Sequence, residues 1–278
     1  AHLGDALAAH AARLRLLAGR VRGGGDGDLV HDTRVALRRL EALSRLFRDV
    51  PERGDGAPVR KAARGPRRRL SALRSEEVGR DLLAARVGPG DGDVVSAAYP
   101  GALPRARVTA ADLAPAARAV AAWRRRLRGR LAGPFAPGAA ADALLLAATL
   151  RRVRRSLEAL LRLLPPREKS LHEARIAAKR ARYALEAIEP IRPEVRALLR
   201  QLRTFQDAAG DAHDLVELGG RLLEAADRGG PAAEAAARLA GEVEREASRT
   251  IDAARLRGAL LEGAMRRVRA TLREAETR

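Results

Sequence analysis

The chain has 278 residues, a formal net charge of +19 and no cysteine, which excludes a disulfide framework and a thiolate metal site. Aromatics make up 2% of it, and the apolar content is mostly Ala and Leu; an Ala/Leu/Arg/Glu-rich chain with few β-branched runs is expected to be all-α. So large a positive charge attracts polyanions such as nucleic acid, polyphosphate or an anionic membrane surface.

A first helix is expected at about residues 3–22, closed by Gly23–Gly27, and a second at about 29–49. A Pro/Gly stretch at Pro51–Pro58 leads into further helix to about Val87. Gly88–Pro104 is the longest turn-like stretch; Ala110–Leu131 is then helical up to the break at 133–138. Five more helices are expected at about 139–164, 168–189, 194–208, 212–227 and 231–276, the last bent or broken near Gly258. Pro165-Pro166, Pro190, Pro193 and Gly229-Gly230-Pro231 mark their ends. Ser170 is placed as an N-cap, with Glu173 three residues on completing a capping box. No stretch is apolar enough to span a bilayer and the start has no signal-peptide pattern, so a soluble, cytoplasmic protein is expected.

Two segments repeat each other. Val30-His31-Asp32-Thr33-Arg34-Val35-Ala36-Leu37-Arg38-Arg39-Leu40 aligns with Leu171-His172-Glu173-Ala174-Arg175-Ile176-Ala177-Ala178-Lys179-Arg180-Ala181. Both read apolar-His-acid-x-Arg-apolar-x-x-basic-Arg. More loosely, Val78–Leu82 resembles Asp211–Leu215. The pattern implies a single domain, 1–278, with a first half at about 1–135 and a second at about 136–278.

Helical geometry explains the spacing. At roughly 100° per residue, Arg175, Lys179 and Arg182 lie within roughly 80° of His172, and Tyr183 lies about 20° to its other side. Leu171, Ala174, Ala178, Ala181, Leu185 and Ile188 form a separate apolar arc. In the first copy His31, Arg34, Arg38 and Arg45 share the stripe, with Val30, Leu37, Leu40 and Phe47 on the other arc. Charged stripes ordinarily face water. These two carry few acids at i±4, although like charges at that spacing destabilise a helix, and the arrangement occurs twice. An anion that relieves the repulsion is the reading that accounts for both. Guanidinium groups suit phosphate oxygens, Lys179 supplies a mobile point charge, and His172 and Tyr183 supply further donors.

With these two motifs and FQDAAGDAHDL (205–215), which is similar to a Gln-x-x-x-Gly-x-x-x-Asp segment, the chain resembles the CHAD family, the conserved histidine α-helical domain. The resemblance covers essentially the whole chain. It implies a helical bundle of two pseudo-symmetric four-to-five-helix halves around a basic central channel. It also implies binding of inorganic polyphosphate and association with polyphosphate granules and their proteins. His31, Arg34, Arg38 and Arg39 carry over from the first motif; His172, Arg175, Lys179, Arg180, Arg182 and Tyr183 from the second. Arg45 joins them on the stripe geometry. Glu41 departs from the pattern, standing where Arg182 stands in the second copy; it weakens the first stripe or orients Arg38 or Arg45. The segment at Arg80-Asp81 is a poor match.

Other chemistries find less support. His31-Asp32 and His213-Asp214 are His-Asp pairs, as in a metal-dependent phosphohydrolase, but the further histidines lack matching spacing. His213 reads as a helix-end or packing residue, and His2 and His10 as surface or interface residues. No serine has a persuasive His/acid arrangement, and no phosphate-binding Gly-Lys loop is present. No catalytic residue, cofactor or metal is expected, nor a membrane partner. Non-specific nucleic-acid binding is the alternative function, disfavoured by the scarcity of stacking aromatics; a helical adaptor comes third.

Overall fold

The computed structural model describes residues 9, 12–17, 19–20, 27–46, 56–91, 93–101, 109–131 and 139–277. Most of the expected first helix, the 133–138 break, His2, His10 and Phe47 lie outside these residues. All regular structure among the described residues is helical. The longer elements are α1 (Gly27–Leu46), α2 (Ala57–Ala84), α3 (Val94–Ala98), α4 (Ala110–Leu131), α5 (Ala139–Leu161), α6 (Leu171–Ile188), α7 (Arg196–Asp227) and α8 (Ala233–Thr277). Single 3₁₀ turns at Glu168–Ser170 and Pro193–Val195 lead into α6 and α7. The all-α expectation holds. No described helix is long and apolar enough to cross a membrane.

Several boundaries differ from the sequence reading. The break expected between 208 and 212 is absent, and α7 runs through Gly210. Leu199, Leu202 and Phe205 before that glycine and Leu215, Leu218 and Leu222 after it are all buried. That continuous apolar stripe outweighs the ~1 kcal/mol that one internal glycine costs a helix. The final helix is likewise continuous through Gly258. A Cβ there would lie 2.8 Å from Pro166 Cδ and 3.2 Å from Leu164 Cδ2, so the glycine serves the close approach of α8 to the turn before α6. Inside the turn-like stretch, Asp93 accepts a hydrogen bond from the Ser96 N–H and starts the five-residue α3. Ser170 does not cap α6 with its side chain. Its hydroxyl instead accepts from the Arg167 N–H (2.9 Å) and donates to the Arg167 carbonyl (3.1 Å), closing the 3₁₀ turn.

Two apolar clusters organise the packing. The larger joins α1, the first part of α2, α4, α5 and α6 with the start of α7 and the later part of α8, through residues such as Leu37, Leu70, Trp123, Leu157, Leu185, Phe205 and Leu261. The smaller joins the end of α2, α3, the second part of α7 and the first part of α8, through Leu83, Tyr99, Leu218, Leu222, Leu239 and Val243. Helices α7 and α8 therefore form an antiparallel hairpin that belongs to both clusters. Its bend is made at Gly229 and Gly230, whose φ angles of 74° and 90° are costly for residues with a Cβ. In the smaller cluster Tyr99 lies between Arg80 and Arg221, whose guanidinium carbons stand 5.5 and 4.9 Å from its ring centroid. Arg80 also donates to the carbonyls of Tyr99 (3.0 Å) and Gly101 (2.8 Å). The segment that matched its family pattern poorly thus ties α2 to the turn after α3.

Candidate functional site

A cavity of about 750 Å³ opens between α1, α2, α5 and α6, with α7 at its edge. Its volume falls within the usual range for a small-ligand site. Each wall follows from a helix that buries one face and turns the adjoining stripe inward. On α1, Val30, Leu37 and Leu40 are buried, and Arg34, Arg38, Glu41 and Arg45 line the cavity. On α6, Ala174, Ala178, Ala181 and Leu185 are buried, while His172, Arg175, Lys179, Arg180 and Tyr183 face the space. Helix α2 contributes Arg67, Ser71 and Ser75; α5 contributes Arg152, Arg155 and Ser156; α7 contributes His213. The charge balance is one-sided: eight arginines and one lysine stand against Glu41, the one carboxylate among the described lining residues.

Glu41 is already engaged. It accepts a hydrogen bond from Arg67 Nε at 3.0 Å and pairs with Arg45 at 3.7 Å. It orients two cavity arginines, so the departure from the first motif serves the wall rather than opposing it. Arg38 donates to Ser71 Oγ at 3.5 Å. The buried Arg175 Nε has no hydrogen-bond partner, and an unsatisfied charged donor is costly to hold in a folded protein.

The titrating groups register the crowding. Burial drives Lys179 from its ordinary 10.5 to about 7, and Arg175, Arg38 and Arg34 push it the same way. Burial lowers Arg175 as well, with Arg38 adding and Asp214 opposing. Arg45 is lowered by burial and partly restored by Glu41. His213, whose ring centroid lies 4.8 Å from that of His172, is lowered by burial, then by Arg175 and His172. On α7, burial raises Asp211 above the usual carboxylate range, and its neighbours Asp214 and Asp207 add to the effect. Among the described residues no three His, Asp or Glu side chains gather in an arrangement that could hold a metal ion.

The structure brings together Arg34, Arg38, Arg45, His172, Arg175, Lys179, Arg180 and Tyr183 of the residues singled out by sequence. It leaves out three. His31 is exposed at the start of α1 and does not line the cavity; its neighbour Asp32 instead accepts from Arg13 (2.6 Å) and Arg20 (2.9 Å). Arg39 lies over a separate small pocket and bonds Glu186. Arg182 stacks its guanidinium 4.9 Å above the Tyr183 ring and pairs with Glu186 at 3.7 Å. His213, read as a helix-end or packing residue, lies inside α7 at the rim of the cavity. Arg67, Arg152 and Arg155 went unrecognised, because they sit on helices that carry no repeat. Within the 205–215 segment, Gly210 brings the α7 backbone against Arg175, and Asp214 is the carboxylate that most favours its charge.

A family model for the CHAD domain matches residues 5–223, ending within α7 and short of α8. No curated protein matches the chain. Among solved structures, the crystal structure of the CHAD domain from the plant Ricinus communis is similar over 92% of this chain and 90% of its own, at 23% identity and a TM-score of 0.60. That likeness shows the fold.

Proposed function

The chain belongs to the CHAD domain family, and from that premise we propose that its cavity binds inorganic polyphosphate, targeting the protein to polyphosphate granules or organising them in the cytoplasm. The observation that carries this reading is the cavity itself, where nine basic side chains from four helices converge on one space and Glu41 is the one carboxylate among the described lining residues. Holding them there costs desolvation and mutual repulsion, and both are offset when an anion enters. A chain of phosphates supplies closely spaced charge with many acceptor oxygens, which matches forked guanidinium donors. Attraction is electrostatic, with counterions released on binding.

The test is a calorimetric titration with polyphosphate of defined length, with excess duplex DNA as competitor at matched phosphate concentration. Polyphosphate should bind and DNA should displace little of it. The pair Arg175→Ala/Lys179→Ala should weaken binding roughly tenfold or more, since each lost charged contact is worth about 1.5–3 kcal/mol, while helical content by circular dichroism stays unchanged. Equal competition by DNA, or wild-type affinity in the double variant, would overturn the reading.

A further inference from the structure

Beside the cavity, and sharing Tyr183 with it, lies a smaller pocket of about 250 Å³ lined by Arg39, Leu43, Glu186, Ala187, Glu189 and Arg203. Two arginines of the repeated motifs that do not line the main cavity, Arg39 and Arg182, both approach Glu186 on the wall of this pocket. Between them sits one carboxylate. Glu186 Oε2 accepts from Arg39 Nε at 3.3 Å. Glu186 Oε1 stands 3.7 Å from Arg182 Nε and 3.9 Å from the Arg203 guanidinium. None of these is a short contact. Oε1 of Glu186 and Nε of Arg182 are both buried without a hydrogen-bond partner. One carboxylate is thus spread thinly over three guanidiniums that come from α1, α6 and α7. The neighbouring Glu189 is committed elsewhere, accepting from Arg196 at 3.2 Å.

We infer that Glu186 is an internal carboxylate occupying a second phosphate subsite, and that a long polyphosphate chain displaces it to extend past Tyr183 onto Arg39 and Arg203. This rests on the polyphosphate reading and deepens it by naming a residue that sets chain-length preference. The chemistry favours exchange. Each internal phosphate unit carries two terminal oxygens and one negative charge, as a carboxylate does, but a chain presents several such units in succession and so can serve guanidiniums that now share one carboxylate. The arginines concerned are partly exposed, Arg39 at 44% and Arg203 at 53% of the side chain. A short chain ends within the main cavity and leaves Glu186 in place. A longer one competes with it and loses affinity to that competition.

The experiment compares tripolyphosphate and long-chain polyphosphate on the full chain, wild type against Glu186→Gln. Glu194→Gln serves as a control, because it makes the same charge change at a residue that lines neither pocket and pairs with Arg192. The Glu186→Gln variant should bind the long chain roughly threefold or more tighter while tripolyphosphate affinity stays put; the control should alter the ratio of the two affinities little. Should Glu186→Gln fail to fold, Arg39→Ala/Arg203→Ala replaces exposed side chains only and should weaken the long chain selectively. Equal changes for both probes, or none in either variant, would overturn the second subsite while leaving the main cavity intact. If wild type binds neither probe, the polyphosphate reading falls first.

Discussion

Lys179 makes no hydrogen bond or ion pair among the described residues. Burial first, then Arg175, Arg38 and Arg34, bring it to about 7. In the unbound protein this value lies below the ordinary 10.5 of an unfolded chain. Between those two pH values the unfolded chain keeps a proton that the folded chain has released, so this residue's contribution to stability rises with pH across that window. Binding has the opposite sign. A bound anion favours the charged amine, so above about 7 the complex takes up a proton and affinity declines as pH rises. Below that value the amine is charged in both states and adds no slope. Lys179→Arg keeps the charge without titrating here. Affinities for long-chain polyphosphate measured at pH 7 and pH 9 should differ less in this variant than in wild type; equal slopes would show that Lys179 does not titrate against the anion. The histidine stripe read from sequence has a different fate. His172 lines the cavity beside His213, whereas His31, at the matching position of the first motif, is exposed. Periodicity sets the angle of a residue about its own helix, but it cannot say how far along that helix the neighbouring wall extends.

At the scale of elements, glycine has two opposite roles. At Gly258 an added Cβ meets Pro166 Cδ at 2.8 Å, and the turn it would push against packs on the main cluster through Leu164. Gly258→Ala should therefore destabilise the fold, by about 1–3 kcal/mol less whatever helix propensity returns. Gly220 in α7 has nothing within 4 Å of an added Cβ, so Gly220→Ala should stabilise by about 0.5–1 kcal/mol. Chemical denaturation of the pair reads both signs. The same contrast explains which boundaries were legible in the sequence. Stops made by backbone chemistry could be read: Gly229-Gly230 does follow the end of α7, and Pro190 and Pro193 do fall between the end of α6 and the start of α7. A glycine inside a helix, such as Gly210, has a meaning that depends on what packs against it, and a single sequence does not contain its neighbours. The cavity was half legible for the same reason. The stripes on α1 and α6 announced themselves by repetition, while Arg67, Arg152 and Arg155 complete it from α2 and α5 with no pattern of their own.

For the whole molecule, the net charge of +19 is concentrated in effect, since so many cations share one enclosure. Polyphosphate affinity should fall linearly in log K against log salt. If about six phosphates are engaged, a fourfold rise in salt costs roughly a thousandfold. A flat response would rule out a binding mode dominated by charge. The stability of the ligand-free protein should respond in the reverse sense, because salt screens the mutual repulsion of the cavity arginines.

The hairpin of α7 and α8 passes through two separate apolar clusters. A 45-residue helix such as α8 reaches roughly 65–70 Å, and its two ends answer to different neighbours. The end near Ala236–Ala247 is held by the smaller cluster, with α2 and α3. The end near Ile251–Leu272 is held by the larger one, which backs the cavity walls. Cooperative opening follows packing rather than helix boundaries, so one uninterrupted helix should show two regimes of amide exchange. Protons near Ala236–Ala247 should exchange through partial opening of the smaller cluster, and those near Ile251–Leu272 only when the whole bundle comes apart. An anion held in the cavity should slow the second set and leave the first nearly as it was. Ligand occupancy would then be written along a single helix as a step in exchange rate between residues 247 and 251.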